Sequence, residues 1–217
     1  MRTSFMRVPY FLWKHVSRSV SLPHRGGSTT TVQKLGRLTL GLYNSYNLVQ
    51  FREAHRRVIA RAAPLAEAFD WNLAVFGFPF PPELGTSEKV AEWISGTTSI
   101  GDEGKYTVEL SDKGRLLMFD LPAKGFPPQL GTLVVTTRKP WKERSTPVGE
   151  IARRAVAGES LLLLFGLGPK GLPPEVFELG KLHFDVTGRG KSLETCTAIG
   201  SVVGSVSTAV RYLAAKK

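Results

Sequence analysis

The residues with the clearest chemical potential are glycines. Gly166-Leu167-Gly168-Pro169-Lys170-Gly171 follows the apolar run Leu161–Phe165, and Gly188-Arg189-Gly190 follows Phe184-Asp185-Val186-Thr187. Glycine lets the backbone turn sharply and lets a ligand reach main-chain N–H and C=O groups. Two such turns, about twenty residues apart, can wall one pocket. Two ligand chemistries fit. The first turn matches G-x-G-x-x-G after a strand, the pattern that cradles a dinucleotide pyrophosphate, with Asp185 a little short of the place of the ribose-binding acid. Pro169, Pro173 and Pro174 count against it, because they crowd the place where the phosphate-binding helix must open. The second chemistry is a nucleoside whose base edge meets main-chain donors and acceptors from both turns.

Other reactive groups are sparse. His15, His24, His55 and His183 are scattered and, with Cys196, give no metal-ligand spacing, so no metal is expected. A single cysteine allows no intrachain disulfide and fits a reducing compartment. No histidine stands near Cys196 in sequence, so it reads as inert. The net charge is +11. Six of the 29 Lys and Arg fall in residues 1–34, which hold no acid, while all 18 Asp and Glu lie beyond. The remainder is moderately basic, which suits a polyanion such as RNA. No run of about 18 apolar residues occurs, so no transmembrane helix is expected.

These groups need elements to position them. Residues 1–34 show no lasting period and read as a disordered extension, a start called too early or a transit segment. The domain is expected over residues 35–217. Leu38–Tyr43 and Asn72–Phe78 read as buried strands. Between them Phe51, Val58, Ile59, Ala62, Leu65 and Phe69 recur at helical spacing, with Pro64 expected to kink or split the helix. Arg52, Arg56, Arg57 and Arg61 fall on its other surface. Thr86–Ser95 reads as a short helix, and Ser95–Gly114 as a loop with a small hairpin around Tyr106–Leu110. Leu116–Phe119 and Thr132–Thr137 are strands, Arg138–Ser145 a polar loop, and Pro147–Ala157 a helix. Residues 79–130 read as a Gly/Pro-rich insertion. The last helix, Thr195–Leu213, buries Ile199, Val202, Val203, Val206, Val210 and Leu213. Strand–turn–helix alternation predicts an α/β layer with a mostly parallel sheet and helices on both faces.

The segments Leu161–Leu172, Phe184–Gly188 and Lys191–Gly200 resemble the C-terminal half of SPOUT-class RNA methyltransferases. Gly41–Asn44 and Asn72–Pro82 resemble, more loosely, an uncharacterised, mainly archaeal branch of that class. The resemblance implies a deep C-terminal trefoil knot, a homodimer and bound S-adenosylmethionine. It assigns Gly166, Gly168, Gly171 and Leu172 to the first cofactor loop, and Val186, Thr187 and Gly188 to the second strand's end. Ser192, Leu193, Thr197 and Ala198 match the segment that opens the last helix. Pro169-Lys170 stand where the class usually has an acidic residue. Ribose-methylating members place an Arg six residues after an Asn, whereas Arg52 follows Asn47 at five.

Candidate catalytic residues are Asn44, Arg52, Arg138 and Glu194. Each has a structural alternative: Asn44 as a helix cap, Arg52 and Arg138 as solvated charges, Glu194 as a partner of the helix dipole. The implied protein is a cytoplasmic, dimeric methyltransferase acting on RNA, most simply tRNA, with no membrane or metal partner. A non-catalytic RNA-binding protein of the same fold and an NAD(P)-dependent oxidoreductase are the alternatives.

Overall fold

The apolar runs Leu38–Tyr43, Asn72–Phe76, Leu116–Phe119, Thr132–Thr136, Leu161–Gly166 and Leu182–Phe184 form strands β1 to β6 of one sheet. The computed structural model describes residues 34–97, 101–168 and 170–216, all within the unit Gln33–Lys217. The expected extension at 1–34 lies, apart from Lys34, outside the described residues. The sheet order is β3-β2-β1-β5-β4-β6, and every pairing is parallel. The chain winds outward from β1 to β3, crosses to β4, and returns to lay β5 beside β1. That reversal opens a crevice beyond the carboxyl ends of the strands, where α/β sheets place their ligands.

Successive strand side chains point to opposite faces, so burial on both demands cover on both. Leu161, Leu162, Leu163 and Leu164 are all fully buried. Helices α1 (Glu53–Ala68), α2 (Ser87–Thr97), α3 (Lys105–Asp112), α4 (Val148–Val156) and α6 (Thr195–Ala214) belong to the first layer, where Leu40, Leu42, Leu161 and Leu163 meet Ile59, Ile151, Val202 and Val206. The second face is thinner. There Tyr43, Phe76, Leu162 and Leu164 meet Leu130, Leu172 and Val176, the last from the six-residue α5 (Pro174–Leu179). Phe76 stacks on Phe119 and meets Phe126 edge-on, with centroids 5.2 and 5.0 Å apart. Such pairs add roughly 0.5–1.5 kcal/mol to the burial itself.

Two expectations are corrected. Tyr106–Leu110 is not a hairpin but the body of α3, which buries Thr107, Leu110 and Ser111 at helical spacing. Its end is a Schellman motif: Gly114 N–H donates to Ser111 O and Arg115 N–H to Leu110 O, with Gly114 at φ +62°. Two of the three buried side chains are polar, which hid the stripe. Pro64 does not split α1, which runs through it. A proline forfeits one intrahelical bond, but Val58, Ile59, Ala62, Ala63 and Ala66 are buried on either side of it and hold both halves against the sheet. Residues 79–130, read as an insertion, supply α2, α3 and the edge strand β3.

The segment after β4 is bound to β6 and α5. Thr137 N–H donates to Phe184 O, Trp141 N–H to His183 Nδ1, and Thr146 N–H to His183 O. His183 Nε2 reaches Phe177 O at 3.2 Å. One nitrogen of Arg144 donates to the carbonyls of Phe177, Glu178 and Gly180, while its guanidinium covers the Trp141 ring at 4.7 Å. This packing fixes where Arg138 and Lys139 stand.

Candidate functional site

A cavity of about 560 Å³ opens at the carboxyl ends of β4, β5 and β6. Its walls are Thr136–Lys139 after β4, Phe165–Gly168 and Lys170–Leu172 at the exit of β5, Phe184–Val186 after β6, and Lys191–Thr195 leading into α6. Ala198 and Val202 close it from α6. Its size suits a nucleoside-sized ligand. Gly166, Gly168, Gly171, Leu172, Val186, Ser192, Leu193 and Ala198 line it, whereas Thr187, Gly188 and Thr197 stand just outside the lining.

The first glycine turn is held from three sides. Leu167 N–H donates to Tyr43 O at 2.9 Å, Gly168 N–H to Ser45 Oγ at 3.0 Å, and Gly171 N–H to Gly168 O at 2.9 Å. A Cβ on Gly166 would lie 2.4 Å from the carbonyl carbon of Gly171, and one on Gly168 would lie 2.4 Å from Ser45 O. Both contacts are with backbone, so the turn exists only because these residues lack side chains.

The second turn is folded by Asp185. Its Oδ1 accepts from Thr187 N–H at 2.9 Å and Thr187 O–H at 2.7 Å, and its Oδ2 from Gly190 N–H at 2.7 Å. Partial burial pushes this carboxyl up, but the donors from Thr187, Gly190 and Gly188 outweigh it and hold it below the usual range. Both oxygens are engaged, so Asp185 organises a loop and does not stand as a ribose-binding acid. An Asp two residues before a Thr, in a Gly-rich stretch, is the turn signal that marks this role.

Of the candidate catalytic residues, Arg138 and Glu194 line the cavity. Arg138 is exposed. Glu194 caps α6: one carboxylate oxygen accepts from Cys196 N–H at 2.9 Å and Thr197 N–H at 3.1 Å. Partial burial raises its pKa, but these donors and Arg61 nearby win, and the group sits below the usual range. Burial, then Glu194, push the Cys196 thiol up, consistent with an inert cysteine. Asn44 and Arg52 are not on the cavity lining. Asn44 is buried at the end of β1, with its amide committed to local bonds, and Arg52 is exposed at the N-cap of α1. The Asn44 turn still bears on the site, because Ser45 holds Gly168.

Thr136, Thr137, Lys139, Lys170 and Lys191 complete the walls. Nothing in the sequence marks Thr136 and Thr137; the lysines are visible only as a local excess of charge. Among the described residues no cluster of His, Cys, Asp and Glu could hold a metal ion, and no helix is long and apolar enough to cross a membrane.

Glu194→Ala is expected to cost about 1 kcal/mol at neutral pH, the usual worth of an N-cap. A carboxyl whose pKa is lower folded than unfolded stabilises above its unfolded value and loses that contribution as pH falls through the folded one. In urea unfolding the gap between the two proteins should therefore narrow as pH falls below the ordinary glutamate range.

Solved structures described as methylases or methyltransferases have a similar fold. A probable methylase family protein from Haemophilus influenzae Rd KW20 superposes with a TM-score of 0.55 at 16% identity, covering 84% of this chain and 70% of that one. A chain solved for the 2-OH methylation of C/U34 on tRNA gives 0.51 at 18% identity, over 89% of this chain and 100% of that one. The SpoU methyltransferase AviRb from Streptomyces viridochromogenes gives 0.50 at 14%, over 83% and 62%. At these identities the likeness defines the fold. The chain belongs to the family described as "Protein of unknown function (DUF531)", whose model matches residues 38–207. An uncharacterized protein of Methanocaldococcus jannaschii is 38% identical over 183 residues, covering 84% of this chain and the whole of that protein.

Proposed function

We propose that the chain is a cytoplasmic, homodimeric RNA methyltransferase that uses S-adenosylmethionine and acts on tRNA, its C-terminal half threaded as a deep trefoil knot. The observation that carries this reading is the cavity itself: eight residues marked for the cofactor converge on its lining from three separate segments. The residues present fit that cofactor. Gly166 and Gly168 bring a tightly folded backbone turn to one wall, and Leu172, Leu193, Ala198 and Val202 offer apolar surface to an adenine ring. When bound, the cofactor supplies an electrophilic methyl group for in-line displacement, a reaction governed by positioning.

The chain's residues orient the acceptor. Arg138, exposed on the lining, can hold a phosphate or steady developing negative charge. An efficient general base needs a pKa near working pH. Among the described lining residues there is no histidine or tyrosine, and Asp185 and Glu194 are both held low. One protomer's cavity therefore favours a nucleophile that already has a free lone pair, such as a ring nitrogen. The same observation favours, as a second reading, a non-catalytic RNA-binding protein of this fold. The oxidoreductase reading loses support, since the helix after the glycine turn has six residues and opens on Pro173-Pro174.

A transfer assay with methyl-labelled S-adenosylmethionine and bulk tRNA tests the proposal. Label in the tRNA is the expected result. Cofactor binding without transfer to any tRNA or rRNA supports the binding-only reading. Tight NAD(P) binding with no S-adenosylmethionine binding overturns both.

A further inference from the structure

Several cations on the body are paired: Arg57 with Glu53, Lys113 and Arg115 with Glu67, Arg153 and Arg154 with Glu150. Around the cavity mouth they are not. Arg138, Lys139, Lys170, Arg189 and Lys191 are all exposed, and none forms an ion pair among the described residues. The two carboxylates on the cavity lining, Asp185 and Glu194, are committed to backbone N–H groups.

The topology sets these five in a row. Lys170 stands on the exit of β5, Arg138 and Lys139 on that of β4, and Arg189 and Lys191 in the turn after β6; the three strands are neighbours. A Cβ on Gly190 would lie 3.3 Å from Arg138 O, so the last two loops touch. Neighbouring strands are about 4.8 Å apart, so the exits span on the order of 10 Å. That reaches about two successive phosphates of one nucleic-acid strand. Like charges gathered without counter-charges suit a ligand that brings its own negative charge.

We infer that this rim seats the backbone phosphates of one RNA strand across the cavity mouth, and that it thereby makes RNA and cofactor bind cooperatively. The inference rests on the functional reading above. S-adenosylmethionine carries a net positive charge and must enter through a cationic mouth. Phosphates on the rim remove that repulsion, and by linkage the cofactor strengthens RNA binding by the same factor. S-adenosylhomocysteine lacks the sulfonium charge, so it feels the coupling less.

Calorimetry on the full chain with a short single-stranded RNA, S-adenosylmethionine and S-adenosylhomocysteine tests this. At low salt RNA should tighten S-adenosylmethionine binding by about tenfold, and S-adenosylhomocysteine binding much less. The variant K139Q/R189Q/K191Q changes only exposed side chains, and its fold is checked by circular dichroism. It should bind RNA at least about tenfold more weakly, with the salt slope reduced by about 2, and its cofactor affinity should no longer respond to RNA. Unchanged RNA affinity in the variant overturns the inference. So does cofactor affinity in the parent that is indifferent to RNA, and in that case the methyltransferase reading stands. RNA binding with no binding of either cofactor form overturns both.

Discussion

Gly166→Ala is expected to weaken S-adenosylmethionine binding by about a hundredfold while leaving a folded protein, because sub-ångström placement governs sites of this kind. Gly166 ends β5, opposite Tyr43 in the register of β1. Its added Cβ would sit 2.4 Å from Gly171 C, 2.6 Å from Gly171 O and 2.7 Å from Leu172 N. All three are backbone atoms, so no side chain can rotate away. Either β5 moves or the turn opens, and β5 is pinned between β1 and β4 with its leucines fully buried. The turn must therefore open, and with it the wall formed by Gly168 and Lys170–Leu172. Overpacking of this kind costs about 2 kcal/mol, or roughly 4–8 °C in Tm for a chain of this size.

Gly171→Ala is the control. Gly171 has φ +72°, which disfavours a side chain, but nothing lies within 4 Å of where its Cβ would be. That variant strains the backbone without displacing the wall. Thermal unfolding and cofactor titration separate the two: Gly166→Ala should lose affinity far more than stability, Gly171→Ala the two in proportion. Equal cofactor affinity for parent and Gly166→Ala would sink the assignment of the cavity.

The middle of the sheet was legible because β1, β2 and β5 are buried on both faces and so read as apolar nearly throughout. Element length and polar burial hid the rest. The helix α3 covers the core partly with Thr107 and Ser111, and no apolar period announces it. Pro64 carries a local penalty that the burial around it overrides, which no scan of the helix alone can weigh. The cavity was half legible. Glycine turns advertise themselves, since few other residues can take their place. Thr136 and Thr137 do not, because they enter the site only through the parallel pairing of β4 with β5 and β6. The bond from Gly168 to Ser45 joins residues 123 apart in sequence, and no local pattern encodes it. Asp185 was legible in the wrong register: a motif reading makes it a ligand to ribose, while its turn chemistry makes it the pin of a loop.

Asn44 poses the same choice between chemistry and structure, and its environment decides it. The side chain is buried at the end of β1. Its Nδ2 donates to Asn47 O at 2.7 Å and Gly77 O at 2.8 Å. Its Oδ1 accepts from Tyr46 N–H at 3.1 Å, Asn47 N–H at 3.3 Å and His55 Nε2 at 3.1 Å. His55 Nδ1 in turn accepts from Arg52 N–H at 2.9 Å, the reciprocal half of a capping box, which requires the neutral ring with its proton on Nε2. Burial lowers the His55 pKa and favours that neutral form. Asn44 thus ties the ends of β1 and β2 to the start of α1 and has no capacity left for a substrate. Asn44→Ala strands five polar groups, some of which water can reach through the exposed loop. Unsatisfied buried groups cost about 1–3 kcal/mol each, so a net loss of about 3 kcal/mol, or roughly 6–12 °C in Tm, is expected. Asn44→Asp should be nearly as damaging, because a carboxylate cannot donate to Gly77 O or Asn47 O. A catalytic amide would behave otherwise: Asn44→Ala would keep its Tm and lose only methyl transfer. Thermal unfolding of the two variants beside the transfer assay therefore decides the role, and an unchanged Tm would move Asn44 back into the chemistry.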